Sequence, residues 1–349
     1  GIGGSQTLAS QGMIHGGLKY ALSGNLTGAS EAIAGMPERW RRCLDGRDDV
    51  DLAGLAPLSD RYYMFAGSTA LGRLTSFFAS RSLRGRIRRL ERTDYPPALA
   101  DPGFHGVVYE LNDFVLDTPA LLATLLRPVA DRVYRHRLLP EEGTQTDAGC
   151  ELHLPGTRLR ARRLILTAGA GTGPLLAHLG IESPRMQLRA LHQVLVRHDY
   201  PHPLYAHCLT GIRRPEPRLT ITSHRDGDGW LWYLGGQIAG DGVAMTGADL
   251  AAHARRELAA CLPWIPWERA EMSTLRVDRA EPEQTGGRRP DEAFAAAVGP
   301  TVVAWPTKLS LVPDLGDKVL ALLAPPEPGP PPRLALPRAD LGRAPWSRP

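Results

Sequence analysis

Residues 5–20, SQTLASQGMIHGGLKY, concentrate side chains suited to holding a ligand. Ser5, Gln6, Thr7, Ser10 and Gln11 offer short hydrogen-bonding groups in quick succession, with too few large apolar residues for a core helix. Gly12 and the Gly16-Gly17 pair remove Cβ atoms that would hold the backbone away from a bound molecule. One imidazole, His15, and one ammonium, Lys19, complete the set. The chemistry this suggests is recognition of an extended polar ligand; a glycine-rich terminal loop is the alternative with the same composition.

The rest of the chain must supply a frame for that stretch. At 349 residues and 43% hydrophobic content there is ample material for a core, and two interleaved domains are expected rather than one. A net charge of +4 and a pI near 9.0 are a slight basic excess, so nucleic acid is not an expected partner. Of the 41 basic residues only Lys19, Lys308 and Lys318 are lysines, which draws attention to those inside motif-like stretches. Cys43, Cys150, Cys208 and Cys261 form no CxxC pair or Cys/His cluster, so neither a metal site nor a disulfide framework is expected, and a reducing cytoplasm fits. No apolar run approaches the roughly 18 to 20 residues of a membrane span, and no secretory leader pattern is present.

Periodicity predicts helix over 29–44, with Ser30 as N-cap and a break at Pro37, and a half-buried strand around Tyr62, Tyr63 and Phe65. Arg84, Arg88 and Arg92 fall at helical spacing opposite Leu83, Ile87 and Leu90, which predicts a solvated amphipathic helix. Strands are expected over 106–117, then a helix from Thr118-Pro119 to about Val133. The run ARRLILTAGAGTG reads as a buried strand and glycine turn, with Pro174 opening a helix. Its glycines at 169, 171 and 173 give G-x-G-x-G, not G-x-G-x-x-G, so it is not the primary pyrophosphate site. Short β-rich segments from 186 to 239 predict an antiparallel sheet, followed by a helix carrying Ala251, Ala254, Leu258 and Cys261 on one face. A strand from Thr301 to Trp305, a WPTKLS turn and a helix from about Pro313 close the pattern. The last 25 residues contain nine prolines and predict a disordered tail.

Taken in order, SQTLASQGMIHGGLKY, LILTAGAG and VVAWPTKLSLVPDLGDKV resemble segments of the flavin-dependent oxidoreductases of the D-amino-acid oxidase and glycerol-3-phosphate dehydrogenase superfamily. The resemblance implies a mixed α/β (α+β) fold: an interleaved, Rossmann-like FAD-binding domain, incomplete at its N-terminus, beside an antiparallel-sheet substrate domain. FAD-binding parts are expected at 1–45, 118–185 and 291–324, substrate parts at 46–117 and 186–290, and the disordered tail at 325–349. The family opens with a βαβ unit bearing G-x-G-x-x-G, absent here, so about 35 to 40 preceding residues are expected to be missing. A truncated relative that binds a ligand or partner without catalysis is the alternative that this departure raises.

The resemblance further implies oxidation of a small polar amine, amino acid or hydroxy acid by hydride transfer to flavin N5, with the electron acceptor left open. Ser5, Gln6, Thr7, Ser10, Gln11, Gly12, His15, Gly16 and Gly17 would lie along the flavin, joined by Ala168 and Gly169 and by the turn Thr307, Lys308, Leu309, Ser310. Lys308 would place positive charge near the flavin N1/C2 edge, or be a surface lysine beside a helix start. His15 is the first catalytic candidate, with a structural histidine as the alternative; His224, Tyr233 and Gln237 are weaker ones. Arg276 is the expected clamp for a substrate carboxylate.

Overall fold

The computed structural model describes residues 1–17, 32–67, 87–146, 149–209, 216–326 and 329–347. Lys19, Ser30 and Arg84, singled out above, lie outside them. In chain order the strands and helices are β1 (Met13–Ile14), α1 (Met36–Leu44), β2 (Tyr62–Ala66), β3 (Ile87–Arg89), β4 (Val107–Leu111), β5 (Phe114–Val115), α2 (Thr118–Leu126), β6 (Gly143–Thr146), β7 (Gly149–Leu154), β8 (Thr157–Ala161), β9 (Leu164–Leu166) and α3 (Thr172–His178). There follow β10 (Met186–His198), β11 (Ala206–Leu209), β12 (Leu219–Asp226), β13 (Gly229–Gly235), α4 (Gln237–Asp241), α5 (Gly247–Cys261), β14 (Glu271–Pro282), β15 (Phe294–Val298), β16 (Thr301–Trp305) and α6 (Val312–Leu320).

Eight strands in the order β14-β10-β13-β12-β11-β2-β4-β3 form the largest sheet, antiparallel at every pairing but β11 with β2. Alternation sends Val194, Val196, Trp232 and Leu234 to the face covered by α5, whose Leu250, Ala254 and Leu258 complete one core. Thr246 caps α5, accepting the Asp249 amide at 3.2 Å. A second core joins α1 to α6 and β5 through Trp40, Leu311, Leu315 and Phe114. Pro37 lies in the first turn of α1, where no amide donor is needed.

The sheet that matters for the site is small. β16 pairs with β9 in parallel and with β15 antiparallel, so the carboxyl ends of β9 and β16 emerge side by side. Each end runs into a turn and then a helix, α3 or α6. Ligands of open α/β sheets bind at such ends.

Two expectations are corrected here. Residues 87–89 are an edge strand paired with β4, and 92–94 a single 3₁₀ turn, in place of the arginine-rich helix. Cross-strand partners outweigh helical spacing: Arg88 donates to Glu110 at 2.6 Å and Leu90 is buried. The proline-rich tail is docked rather than disordered. Leu341 bridges Ile2 in parallel, Arg338 bridges Tyr134, and Trp346 stacks on His224 with ring centroids 3.8 Å apart.

Candidate active site

The opening stretch folds as consecutive turns, with Leu8 N–H donating to Gly3 O and Ala9 N–H to Ser5 O. Leu8 and Ala9 are buried, which leaves the polar residues around them to face a cavity. Gly12 ends the turns at φ +69°, where an added Cβ would sit 2.1 Å from Leu116 O. No other residue fits that position without moving the backbone.

A cavity of about 660 Å³ is walled by Gly1, Gly3, Gly4, Ser5, Gln6, Thr7 and Ser10, by Thr167 to Gly171 after β9, by Asp278 and Ala280, and by Trp305, Pro306, Lys308 and Leu309 after β16. Its wall is poor in Cβ atoms and rich in hydroxyl and backbone donors. The Trp305 indole itself packs into the core behind this wall, with Leu166, Val303 and Phe294, and its Nε1–H has no hydrogen-bond partner among the described residues. Hydroxyls and closely approachable backbone on a small-residue wall are what an extended polar cofactor would meet there.

A second cavity of about 200 Å³ adjoins the first, and Gln6, Ser10, Lys308 and Leu309 border both. It is further lined by Gln11, Gly12, His15, Leu191, Gln193, His207, Glu216, Thr220, Val277, Arg279, Arg289 and Thr307. Gln11 stitches the opening stretch to the sheet, its Nε2 donating to Thr220 O at 3.0 Å and Tyr233 O at 2.8 Å. Gln6 Oε1 accepts from Ala280 N at 3.1 Å. His15 Nδ1 accepts the Gly17 amide at 3.2 Å, so its neutral ring carries the proton on Nε2. His207 Nδ1 lies 3.0 Å from Thr220 Oγ1.

The turn after β16 is tight. Thr307 adopts φ +60°, and Lys308 N–H closes on Pro306 O at 2.6 Å, a γ-turn in a sparsely populated region. This turn aims Lys308 inward, not to the surface: its side chain is 2% exposed, and Nζ donates to Pro290 O at 3.2 Å and Asp291 O at 2.9 Å. Burial, then the Arg289 charge, pushes the ammonium down to about 7, opposed by Asp291 and Glu281. Lys308 therefore stands between the cavities as a group near half protonation at neutral pH.

Other predicted residues fall elsewhere. Gly16 and Gly17 line neither cavity; Gly16 N–H binds Asp113 at 3.0 Å. Ser310 is buried behind the wall, where its Oγ accepts from His15 N at 2.9 Å. Tyr233 is fully buried, its hydroxyl 2.7 Å from Ala9 O and 2.8 Å from Gln193 Oε1, so it acts through those neighbours. His224 lies under Trp346 away from both cavities, and burial pushes its pKa down to about 4. Gln237 donates to Glu216 O. Arg276 turns to the opposite face of β14 and binds Val243 O at 3.1 Å and Met245 O at 2.8 Å. The arginines at the smaller cavity are Arg279 and Arg289, neither singled out by the sequence. The signal for Arg279 was strand parity, since Val277 and Arg279 share a face that Arg276 does not.

A cofactor-sized cavity at the ends of parallel strands, opening onto a smaller chamber on an antiparallel sheet, is the layout of a two-site, cofactor-dependent oxidoreductase. The family profile described as DAO, FAD dependent oxidoreductase, matches residues 1–302, and the chain belongs to that family. It is 49% identical over 326 residues to the probable FAD-dependent oxidoreductase PA4991 of Pseudomonas aeruginosa, covering 92% of this chain and 82% of the relative. The crystal structure of PA4991 superposes with a TM-score of 0.81 at 42% identity, over 99% of this chain and 88% of that one. Iminodiacetate oxidase from Chelativorans sp. BNC1 shares the fold with a TM-score of 0.59 at 16% identity, over 96% and 90% of the chains. Glycine oxidase from Geobacillus kaustophilus does so with 0.56 at 18% identity, over 92% and 85%. The protein is an FAD-dependent oxidoreductase, and among the described residues no helix is long and apolar enough to cross a membrane.

Proposed function

We propose that the enzyme oxidises a small amine or amino acid bearing a carboxylate, with FAD in the larger cavity and substrate in the smaller. The observation that carries this reading is the shared border of the two cavities at Gln6, Ser10, Lys308 and Leu309, with cationic Arg279 beyond it. Ser5, Gln6, Thr7, Ser10, Ala168 and Gly169 would hold the cofactor. Bound flavin supplies the two-electron acceptor for C–H oxidation next to nitrogen. The chain's own residues bind and orient. Arg279 offers a planar fork for the carboxylate. Gln193 and His207 present polar atoms to the substrate's other end, and Gln11 keeps that wall rigid. His15, whose Nδ1 is occupied by the Gly17 amide, can donate from Nε2, and Lys308, pushed down to about 7, can take or hold a proton beside the shared border. Glycine oxidase and iminodiacetate oxidase, which share the fold, support a carboxylate-bearing amine over a neutral amine.

The test is anaerobic mixing of the FAD-loaded protein with glycine, sarcosine and iminodiacetate, against ethylamine. Bleaching of the flavin band by the carboxylate-bearing amines is expected. Bleaching by ethylamine alone, or by none of the four, overturns the reading.

A further inference from the structure

The charges around the smaller cavity do not balance, and the imbalance specifies its ligand more closely. Among the described residues, four cationic side chains lie in or behind its wall. Arg189, behind it, is neutralised by fully buried Glu281 through a two-pronged bridge of 3.0 and 2.8 Å. Lys308 is accommodated by the two carbonyls of Pro290 and Asp291, with the Asp291 carboxylate 3.9 Å away. Arg279 and Arg289 have no carboxylate within ion-pair distance among the described residues. Arg279 makes a single long bond, Nε to Arg189 O at 3.4 Å. Arg289 Nε is buried without a partner, and two glycines at φ +72° and +65° form the turn that delivers Arg289 to the wall. Among the described residues of the lining the one carboxylate, Glu216, is exposed.

We infer that the smaller cavity takes a substrate with two anionic groups, one met by Arg279 and the other by Arg289, which is the chemistry of a small amino-dicarboxylate. This rests on the oxidoreductase reading of the same cavity. A monocarboxylate neutralises one guanidinium and leaves the other partly buried and unpaired, a costly arrangement. A dianion removes both deficits and adds two charge-assisted contacts. The strain among the cations is visible in Arg279, which burial and then the charges of Arg189 and Arg289 push down to about 9. The volume of about 200 Å³ equals that of about six or seven waters at ~30 Å³ each, room for a molecule of amino-acid size.

Calorimetric titration of the FAD-loaded enzyme with succinate and glutarate, against the chain-matched butyrate and valerate, tests the inference. A dicarboxylate should bind at least about tenfold tighter than its matched monocarboxylate. That preference should vanish in Arg289→Gln and persist in part in Arg289→Lys. Equal affinities for the two series, or a preference untouched by Arg289→Gln, would overturn the dianion site. The amine-oxidation reading would survive that outcome if sarcosine still bleached the flavin. Conversely, tight Arg289-dependent succinate binding without bleaching by any amine would sustain the dianion site and overturn amine oxidation.

Discussion

At the scale of single residues, the side chain with the most to say is Lys308, because burial has moved its titration into the working range. Its ammonium is held in the folded protein only below about 7, while the unfolded chain keeps the proton up to 10.5. Between those values the unfolded state binds more protons, so stability rises with pH across that window. Lys308→Met removes the effect. The difference in unfolding free energy between wild type and variant should therefore shift in favour of wild type, by on the order of 1 kcal/mol per pH unit from 7 to 10. Urea unfolding at four pH values measures it, and a flat difference would show that Lys308 keeps its proton in the folded protein as it does in the unfolded chain. A second readout is kinetic: a step near pH 7 in the rate of flavin reduction should disappear in the variant.

At the scale of elements, most of the framework could be read from periodicity, and the error in the site arose from phase. The strand Thr301 to Trp305, the helix from 247 to 261 and the strands from 186 to 235 follow the residue pattern because each buries one regular stripe. Strand β14 was not predicted as a strand, and which of its arginines faces ligand depends on its register with β10. That register pairs Arg279 with Arg189 and Val277 with Leu191 on the cavity face, and Arg276 with His192 on the other. Nothing within STLRVDR sets that choice; long-range pairing does. Arg289 was hidden for a different reason, since it owes its place to a loop conformation. The prediction is a contrast. Arg279→Ala should raise KM for a carboxylate-bearing substrate at least about tenfold. Arg276→Ala should leave KM within about twofold and lower only stability, by about 1 kcal/mol, through loss of two bonds to carbonyls. Steady-state kinetics on both variants decides it, and equal effects on KM would place Arg276 back at the substrate.

At the scale of the whole molecule, the C-terminal tail ties the larger cavity to the large sheet. Its composition predicted disorder because prolines cannot build ladders of their own, yet isolated anchors suffice. Ile2 N–H donates to Asp340 O and Gly342 N–H to Ile2 O, each at 2.8 Å, beside Gly1, Gly3 and Gly4 of the cavity wall. At the far end Trp346 stacks on His224 and meets Tyr233 edge-on. Tyr233 in turn reaches Ala9 and Gln193, so the anchor and the smaller cavity share one packed unit. That anchor needs His224 neutral, since burial holds its pKa near 4 against 6.5 unfolded, and its Nε2 has no partner among the described residues. The sign follows from proton counting. Between pH 6.5 and 4 the unfolded chain binds a proton that the folded one refuses, so stability is lost as pH falls through that window. His224→Phe keeps a flat ring against Trp346 and removes the titration. It should therefore be more stable than wild type at pH 5 by about 1 kcal/mol or more while differing little at pH 8. Trp346→Ala should cost about 3 kcal/mol at pH 8, because it deletes the anchor itself, and less at pH 5, where the uncovered imidazole can take its proton. Denaturant midpoints of the three proteins at pH 5 and 8 test the scheme. Loss of stability in His224→Phe at both pH values would mean that the imidazole makes a polar contact the tail depends on.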